Sequence, residues 1–449
     1  LPATRELGSV LKVSRNTVIL AYQYLEDDGF IRIVKNQGAF VAPVDVAPKK
    51  ATSRDGLRLD WSQRLTDLAR LATELDIEKK ELKWRRGMIS FKSIAPDGSL
   101  FETGEFKKAF LNRLALEGQP LLNYGYAKGY KPFIEYLFDY MSSKGVNPAG
   151  KELLITNGFT EAFNLVLSAL TRPGDAIICE NPTHNTALKI MKLHGLDITG
   201  IPLCDDGIDP VKLEQTLAQR NFRLGYVIPS YHNPTGIVMP LEKRLAVLDS
   251  FTRHQVPLLE DGFNEELKFS GSHVAPLLAL GGTGNSLIYL GSFSKVLFPG
   301  LRIGWIMCDA ELISYLESMK RSANIHTSAL DQALLYEYLQ GGHFETYLKK
   351  VRRVYKERYE RAVELATEFI PCKKIWGQGG LHIFIELEKM DAREVLAACY
   401  NRGVVFMPGD IFFTDGGGRN TFRLGIGRVR PEEMETGFRI IGEVIRSML

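Results

Sequence analysis

The chain is poor in the features that mark secreted, membrane-spanning or strongly nucleic-acid-coating proteins. It has 449 residues, yet only five cysteines, Cys179, Cys204, Cys308, Cys372 and Cys399. They are odd in number, widely spaced and form no CxxC. This excludes a disulfide framework or a cysteine zinc site and implies buried, reduced thiols in a cytoplasmic setting. No run of 18 apolar residues is present and no signal peptide opens the chain, so no membrane partner is expected. Charge of one sign is also lacking. The formal net charge is only +3, so any contact with nucleic acid must be local rather than spread over the whole surface. What remains is ordinary globular material, 45% hydrophobic and 24% charged, long enough for two or three domains. The chain begins at Leu1 without a methionine, inside what reads as an unfinished motif, and further residues upstream are expected.

Texture divides the chain into four parts. Residues 1–43 carry helix, turn, helix and hairpin signals. Residues 44–87 read as a linker: 44–60 are polar with little periodicity, and Leu65, Leu68, Leu71/Ala72 and Leu75 recur at helical spacing within 62–83. From 88 to 330, strand-like runs (ELLITNG, DAIICE, LGYVIPS, VPLLED, SLIYLGSFSK, LRIGWIM) alternate with helical patterns, which predicts an α/β layer with a largely parallel sheet. Ligands collect at the carboxyl ends of such strands. Residues 331–449 read as long helices and then short strands, a smaller α+β domain.

In the first part, Thr4 is the expected N-cap of a helix over 5–11, and Lys12-Val13 make the turn. Ser14 caps a second helix that buries Val18, Ala21, Tyr22 and Leu25. Ser14, Arg15, Asn16 and Thr17 then occupy an exposed first turn, the part of a recognition helix that enters a major groove. FIRIV and GAFVA flank a hairpin tip that ends at Gly38. Local charge argues little: Arg5, Lys12, Arg15, Arg32 and Lys35 stand against Glu6, Glu26, Asp27 and Asp28. The pattern LPATREL…LKVSRNTVILAYQYLEDDGFI…GAFV nevertheless resembles the winged helix-turn-helix of GntR-family bacterial regulators. That resemblance implies a double-stranded DNA operator as partner, with Arg5, Arg15, Thr17 and the Gly38 tip as contacts.

The chemical signal lies in GSFSKVLFPGLRIGW, residues 291–305. Lys295, at a strand end, is placed to form an imine with a phosphorylated aldehyde. Ser292 and Arg302 are placed to hold the phosphate, with Pro299-Gly300 permitting the turn that returns Arg302. ITNGFTEAF offers the Phe159 amide and the Thr160 hydroxyl and amide at a helix N-terminus. LLEDGF puts Asp261 past an apolar strand, suited to a pyridine nitrogen. Asn233 in YHNPTG suits a phenolic oxygen. Tyr124 stands in NYGYAKG, and Arg423 in FRLGIG suits a ligand carboxylate.

Together these motifs resemble the fold-type-I, pyridoxal-phosphate-dependent aminotransferases over 88–449. By that resemblance Lys295 is the Schiff-base lysine, Asp261 the pyridinium partner and Asn233 the phenolate partner. Ser292, Arg302 and Thr160 form the phosphate cup, Tyr124 reaches the other subunit of a homodimer, and Arg423 clamps a carboxylate. Phe263 stands where the family commonly has tyrosine, which removes one hydrogen bond to the ring oxygen. His184 stands where an aromatic ring stacks on the cofactor. Thr186 stands where the regulator that answers γ-aminobutyrate has arginine, which argues against that effector.

A winged helix ahead of this domain is similar to the MocR/GabR subfamily. It implies a regulator whose Lys295 imine senses pyridoxal 5'-phosphate or an amino compound such as a small amino acid or D-alanine derivative. Two alternatives stay open: a catalytically active aminotransferase with an attached DNA-binding domain, and a regulator that no longer takes the cofactor.

Overall fold

The computed structural model describes residues 1–42, 58–269 and 274–449. Pro43 and residues 44–57 of the expected linker lie outside the described residues. The chain separates into two compact units, Leu1–Asp67 and Leu68–Leu449.

In the first unit, α1 (Thr4–Leu11) and α2 (Arg15–Asp27) precede a hairpin of β1 (Ile31–Val34) and β2 (Gly38–Val41), paired antiparallel. Lys12 closes α1 in a left-handed conformation, φ 54°. The Ser14 hydroxyl caps α2 by accepting the Thr17 amide at 3.1 Å. Thr4 does not cap: Ala3 holds the N-cap position and Thr4 begins the helix, one residue earlier than expected. The core is small, built from Val18, Tyr22, Ile31 and Ala39 with Leu7 against them. Ala21 and Leu25, expected inside, are exposed, because Val18 and Tyr22 already point α2 at α1 and the hairpin.

The helix expected over 62–83 is broken. A 3-10 turn (Trp61–Gln63), a helix (Asp67–Glu74) and a second short helix (Ile77–Lys80) replace it, and Leu65 and Leu68 are exposed. The Asp76 carboxylate caps the last of these through the Glu78 amide, which competes with continuation of the preceding helix.

The second unit opens with β3 (Ile89–Ser90). It then builds an eight-stranded sheet from β4 (Lys151–Thr156), β5 (Ala176–Asn181), β6 (Asp197–Cys204), β7 (Gly207–Ile208), β8 (Leu224–Val227), β9 (Leu258–Asp261), β10 (Leu287–Ser292) and β11 (Gly304–Asp309). The order is β4-β11-β10-β9-β8-β5-β6-β7. The run from β10 to β6 is parallel, and β11 lies antiparallel between β10 and β4. β8 and β9 are buried at every residue, the pattern of strands covered on both faces.

A second sheet, β12 (Lys374–Trp376), β13 (His382–Glu386), β15 (Met407–Pro408) and β16 (Thr421–Gly425), runs β12-β13-β16-β15, and β14 (Val404–Val405) pairs with β3. The seam between the two cores differs from the expected 330/331 division. The helix Ala329–Gln340 buries Leu335, Tyr338 and Leu339 in the larger core. The long helix His343–Phe369 runs from the larger core, at Phe344 and Val351, to the smaller one, at Leu365. Phe91, beside β3, also joins the smaller core. The five cysteines are free; Cys179, Cys308 and Cys399 are buried, Cys204 and Cys372 half-buried. Among the described residues no helix is long and apolar enough to cross a membrane.

Candidate active site

Four strand ends converge. Asp261 is the last residue of β9, Ser292 the last of β10, and β4 and β5 run on into Gly158–Phe159 and His184. Asp261 is 1% exposed. Its Oδ2 accepts the Tyr226 hydroxyl at 2.9 Å, while its Oδ1 is buried without a partner. Burial is the main cause that pushes its carboxyl up to about 7, against the Tyr226 hydrogen bond and with the nearby Glu180 carboxylate.

Lys295 follows β10 by three residues and is half-buried. Burial, then the cations of Arg423, Arg428 and Arg302, push its ammonium down to about 8, which leaves a usable share of it as free amine near neutral pH.

The helix Phe159–Leu170 begins after Gly158, which has φ 80°. The Asn157 carbonyl accepts Arg302 Nη2 at 2.7 Å, so Arg302 sits at this N-terminus. Gly304 pairs with Ser292 in the sheet, and a Cβ at Gly304 would lie 2.8 Å from Gly158 Cα. Ser292, Arg302, Phe159 and Thr160 are thus drawn to one place, which gathers helix amides and a guanidinium, the donor types an anion needs. The Ser292 hydroxyl also accepts the Ser294 amide at 3.1 Å.

His184 packs against Phe159 with ring centroids 5.1 Å apart, and lies parallel to Phe263 at 6.4 Å and 10°. Burial, then Lys295 and Arg423, push its imidazole down to about 3, so it is neutral. Asn233 Oδ1 accepts Arg423 Nη1 at 2.7 Å, and the Lys92 carbonyl accepts Nη2 at 3.2 Å. Arg423 Nε is buried without a partner, and burial pushes the guanidinium down to about 9.

Tyr124 stays apart from this cluster. It is 83% exposed and packs edge-on against His326. Arg5, Arg15, Asn16, Thr17 and Gly38 are exposed on the first unit, and Ser14 spends its hydroxyl on the cap. No sequence motif singles out the buried Tyr226, His232 and His382. A tyrosine in a wholly apolar strand has to find a partner for its hydroxyl, and that is the available signal.

The aminotransferase class I and II family matches residues 95–441. The chain belongs to that family. Among relatives, the 2-aminoadipate transaminase of Thermus thermophilus is 32% identical over 87% of this chain and 98% of its own. The uncharacterized HTH-type transcriptional regulator YdfD of Bacillus subtilis is 26% identical over 100% of this chain and 92% of its own. Further relatives aligned over nearly the whole chain also carry regulator names. The crystal structure of LysN, the α-aminoadipate aminotransferase of Thermus thermophilus, complexed with N-(5'-phosphopyridoxyl)-L-leucine, superposes with a TM-score of 0.80. It is 30% identical and covers 87% of this chain and 99% of its own.

Aminotransferases of this class take pyridoxal 5'-phosphate, and it is the cofactor here. The residues fit it. Asp261 Oδ1 is buried with no partner, the kind of acceptor a proton-bearing ring nitrogen needs, and a Cβ at Gly158 would crowd the Arg302 guanidinium at 3.0 Å.

Proposed function

We propose that this chain is a pyridoxal-phosphate-binding, DNA-binding transcriptional regulator. Its aminotransferase domain senses an amino compound or the cofactor itself. The observation that carries this reading is the joining, in one chain, of a Ser14-capped helix and hairpin to a second unit with a complete cofactor-type site, over a length shared with relatives named as HTH-type regulators.

In this reading the first unit is a winged helix-turn-helix. α2 enters the major groove with Arg15, Asn16 and Thr17 foremost, Arg5 supports it, and the Gly38 tip approaches the backbone. In the second unit Lys295 holds the cofactor covalently. Asp261 keeps the ring nitrogen protonated. Asn233, with Oδ1 spent on Arg423, would have its amide hydrogens free for the ring oxygen. Ser292, Arg302, Phe159 and Thr160 would hold the phosphate, His184 would lie against the ring, and Phe263, lacking a hydroxyl, would give the ring oxygen no donor. When bound, the cofactor would supply an aldehyde carbon able to bond either the Lys295 amine or a ligand amine. Arg423 fixes that ligand by its carboxylate, and its differential affinity for two domain arrangements alters DNA affinity. Two copies form a homodimer with Tyr124, Tyr126 and Leu122, all more than 70% exposed, at the contact. A sedimentation mass of about twice 50.4 kDa tests that state.

The decisive experiment measures binding of the full chain, loaded with pyridoxal phosphate, to the duplex upstream of its own gene, with and without a panel of amines. The expected outcome is salt-sensitive binding that Arg15→Ala weakens by tenfold or more, with the visible absorbance of the cofactor unchanged. Failure to bind that duplex more tightly than a scrambled one would overturn the regulatory reading. The transaminase relatives and the intact site favour one second reading, an aminotransferase with an attached DNA-binding unit. Steady conversion of an amino donor and a keto acid at roughly 1–1000 per second would establish it.

A further inference from the structure

His382 opens β13, where it pairs with Gly425, while Phe384 pairs with Arg423. Residues two apart on a strand share a face, so His382 and Arg423 are diagonal neighbours on one side of the small sheet. Both are buried. Two consecutive residues of one loop brace them: Asn233 Oδ1 takes Arg423 Nη1 at 2.7 Å, and the His232 carbonyl faces His382 Nε2 at 3.3 Å. A carbonyl can only accept, so Nε2 carries the ring hydrogen. Burial, then Arg423, push this imidazole down to about 3, and it is neutral. Nδ1 therefore presents a bare lone pair. It is buried with no hydrogen-bond partner, as is Nε of Arg423. Gly380 flanks this edge of the ring, where a Cβ would come into ordinary contact with Nδ1 at 3.9 Å.

A buried acceptor without a donor is costly, and a ligand that supplies the donor is favoured over one that cannot. A carboxylate side chain has no hydrogen to give, and an ammonium side chain is repelled by Arg423. A hydroxyl meets both conditions. We propose that His382 is a specificity residue of this site, and that its Nδ1 accepts the side-chain hydroxyl of a hydroxy-amino acid whose carboxylate Arg423 holds. The proposal rests on reading the site as one that takes carboxylate-bearing amines.

The test titrates the pyridoxal-phosphate-loaded full chain with two isosteric pairs in both enantiomers: serine against 2-aminobutyrate, and homoserine against norvaline. Kd is read from the change in visible absorbance and independently by calorimetry. The hydroxylated member of at least one pair is expected to bind tenfold or more tightly. His382→Phe is expected to abolish that preference by weakening the hydroxylated member, so that the two Kd values of the pair converge. Should the phenylalanine variant fold poorly, His382→Leu, which likewise has no acceptor at the Nδ1 position, is expected to remove the preference in the same way. Equal Kd values within both pairs, or a preference that survives substitution at position 382, would overturn the role of His382 while leaving the amine-binding reading intact. No response to any of the four amino acids, or to any other amine, would overturn both.

Discussion

At the scale of single residues, the site is organised by what burial does to charge. Asp261 is held protonated up to about pH 7 because its carboxylate would be desolvated with Oδ1 unpaired. The folded, cofactor-free chain therefore keeps a proton that the unfolded chain gives up near the ordinary value of 3.8. Between those two values the folded state binds more protons, so stability from this group falls as pH rises, and the penalty is complete above about pH 7. At about 1.4 kcal/mol per pH unit, the cost is at most several kcal/mol. Asp261→Asn should raise the melting temperature of cofactor-free protein at pH 8 and lose that advantage toward pH 4, while the cofactor-loaded form loses affinity. Melting curves at the two pH values check this, and a difference that does not change with pH would count against it. Lys295 has the opposite sign: its ammonium is disfavoured in the fold, so its contribution improves as pH rises from about 8 toward 10.5.

At the scale of elements, two helix starts carry the two halves of the proposed function. Gly158, at φ 80° and ψ −173°, precedes the helix Phe159–Leu170 in a conformation that side chains other than glycine's adopt at a cost of about 1–3 kcal/mol. A Cβ there would also meet Arg302 Nη2 at 3.0 Å. Gly158→Ala is expected to weaken pyridoxal phosphate tenfold or more and to weaken pyridoxal, which lacks the phosphate, much less. Equal losses for the two would show that the turn does not serve the phosphate. In the first unit, Ser14 fixes the first turn of α2 through the Thr17 amide. Ser14→Ala removes a cap worth about 1 kcal/mol from a unit whose core, among the described residues, is built on four buried hydrophobic side chains. The expected outcome is weaker duplex binding with an unaltered cofactor spectrum, measured by fluorescence anisotropy and absorbance on one sample.

At the scale of the whole molecule, regulation requires that ligand and DNA communicate, and thermodynamic linkage makes that communication reciprocal. If an amine changes the Kd for the operator duplex by some factor, saturating duplex must change the Kd for the amine by the same factor. Paired titrations measure both numbers. An amine that alters the cofactor spectrum yet leaves duplex affinity untouched would make the second unit an aminotransferase domain that the first unit does not feel.

Much of this is legible in the sequence because the informative groups are local. Lys295, Ser292 and Arg302 fall within one short stretch, and Asp261, Asn233 and Phe159 each end a strand or open a turn that glycine, proline and apolar runs announce. Helix and hairpin signals in 1–42 come from the same local rules, with Thr4 displaced by one residue and Ala21 and Leu25 turned outward. What local pattern does not supply is pairing across distance. The Tyr226 hydroxyl meets Asp261 only because β8 and β9 are neighbours. The long helix His343–Phe369 shares itself between two cores, which no periodicity distinguishes from membership in one. In the bare sequence His382 is a lone histidine in an apolar strand. The register of β13 against β16 sets it beside Arg423, and a carbonyl 150 residues earlier in the chain decides which of its nitrogens keeps the hydrogen. Side-chain type and neighbouring turn residues are properties of the chain, so the available chemistry is settled before any packing occurs. Which polar atoms end buried and unpaired depends on what the fold packs around them, and that is settled only when distant strands and loops meet.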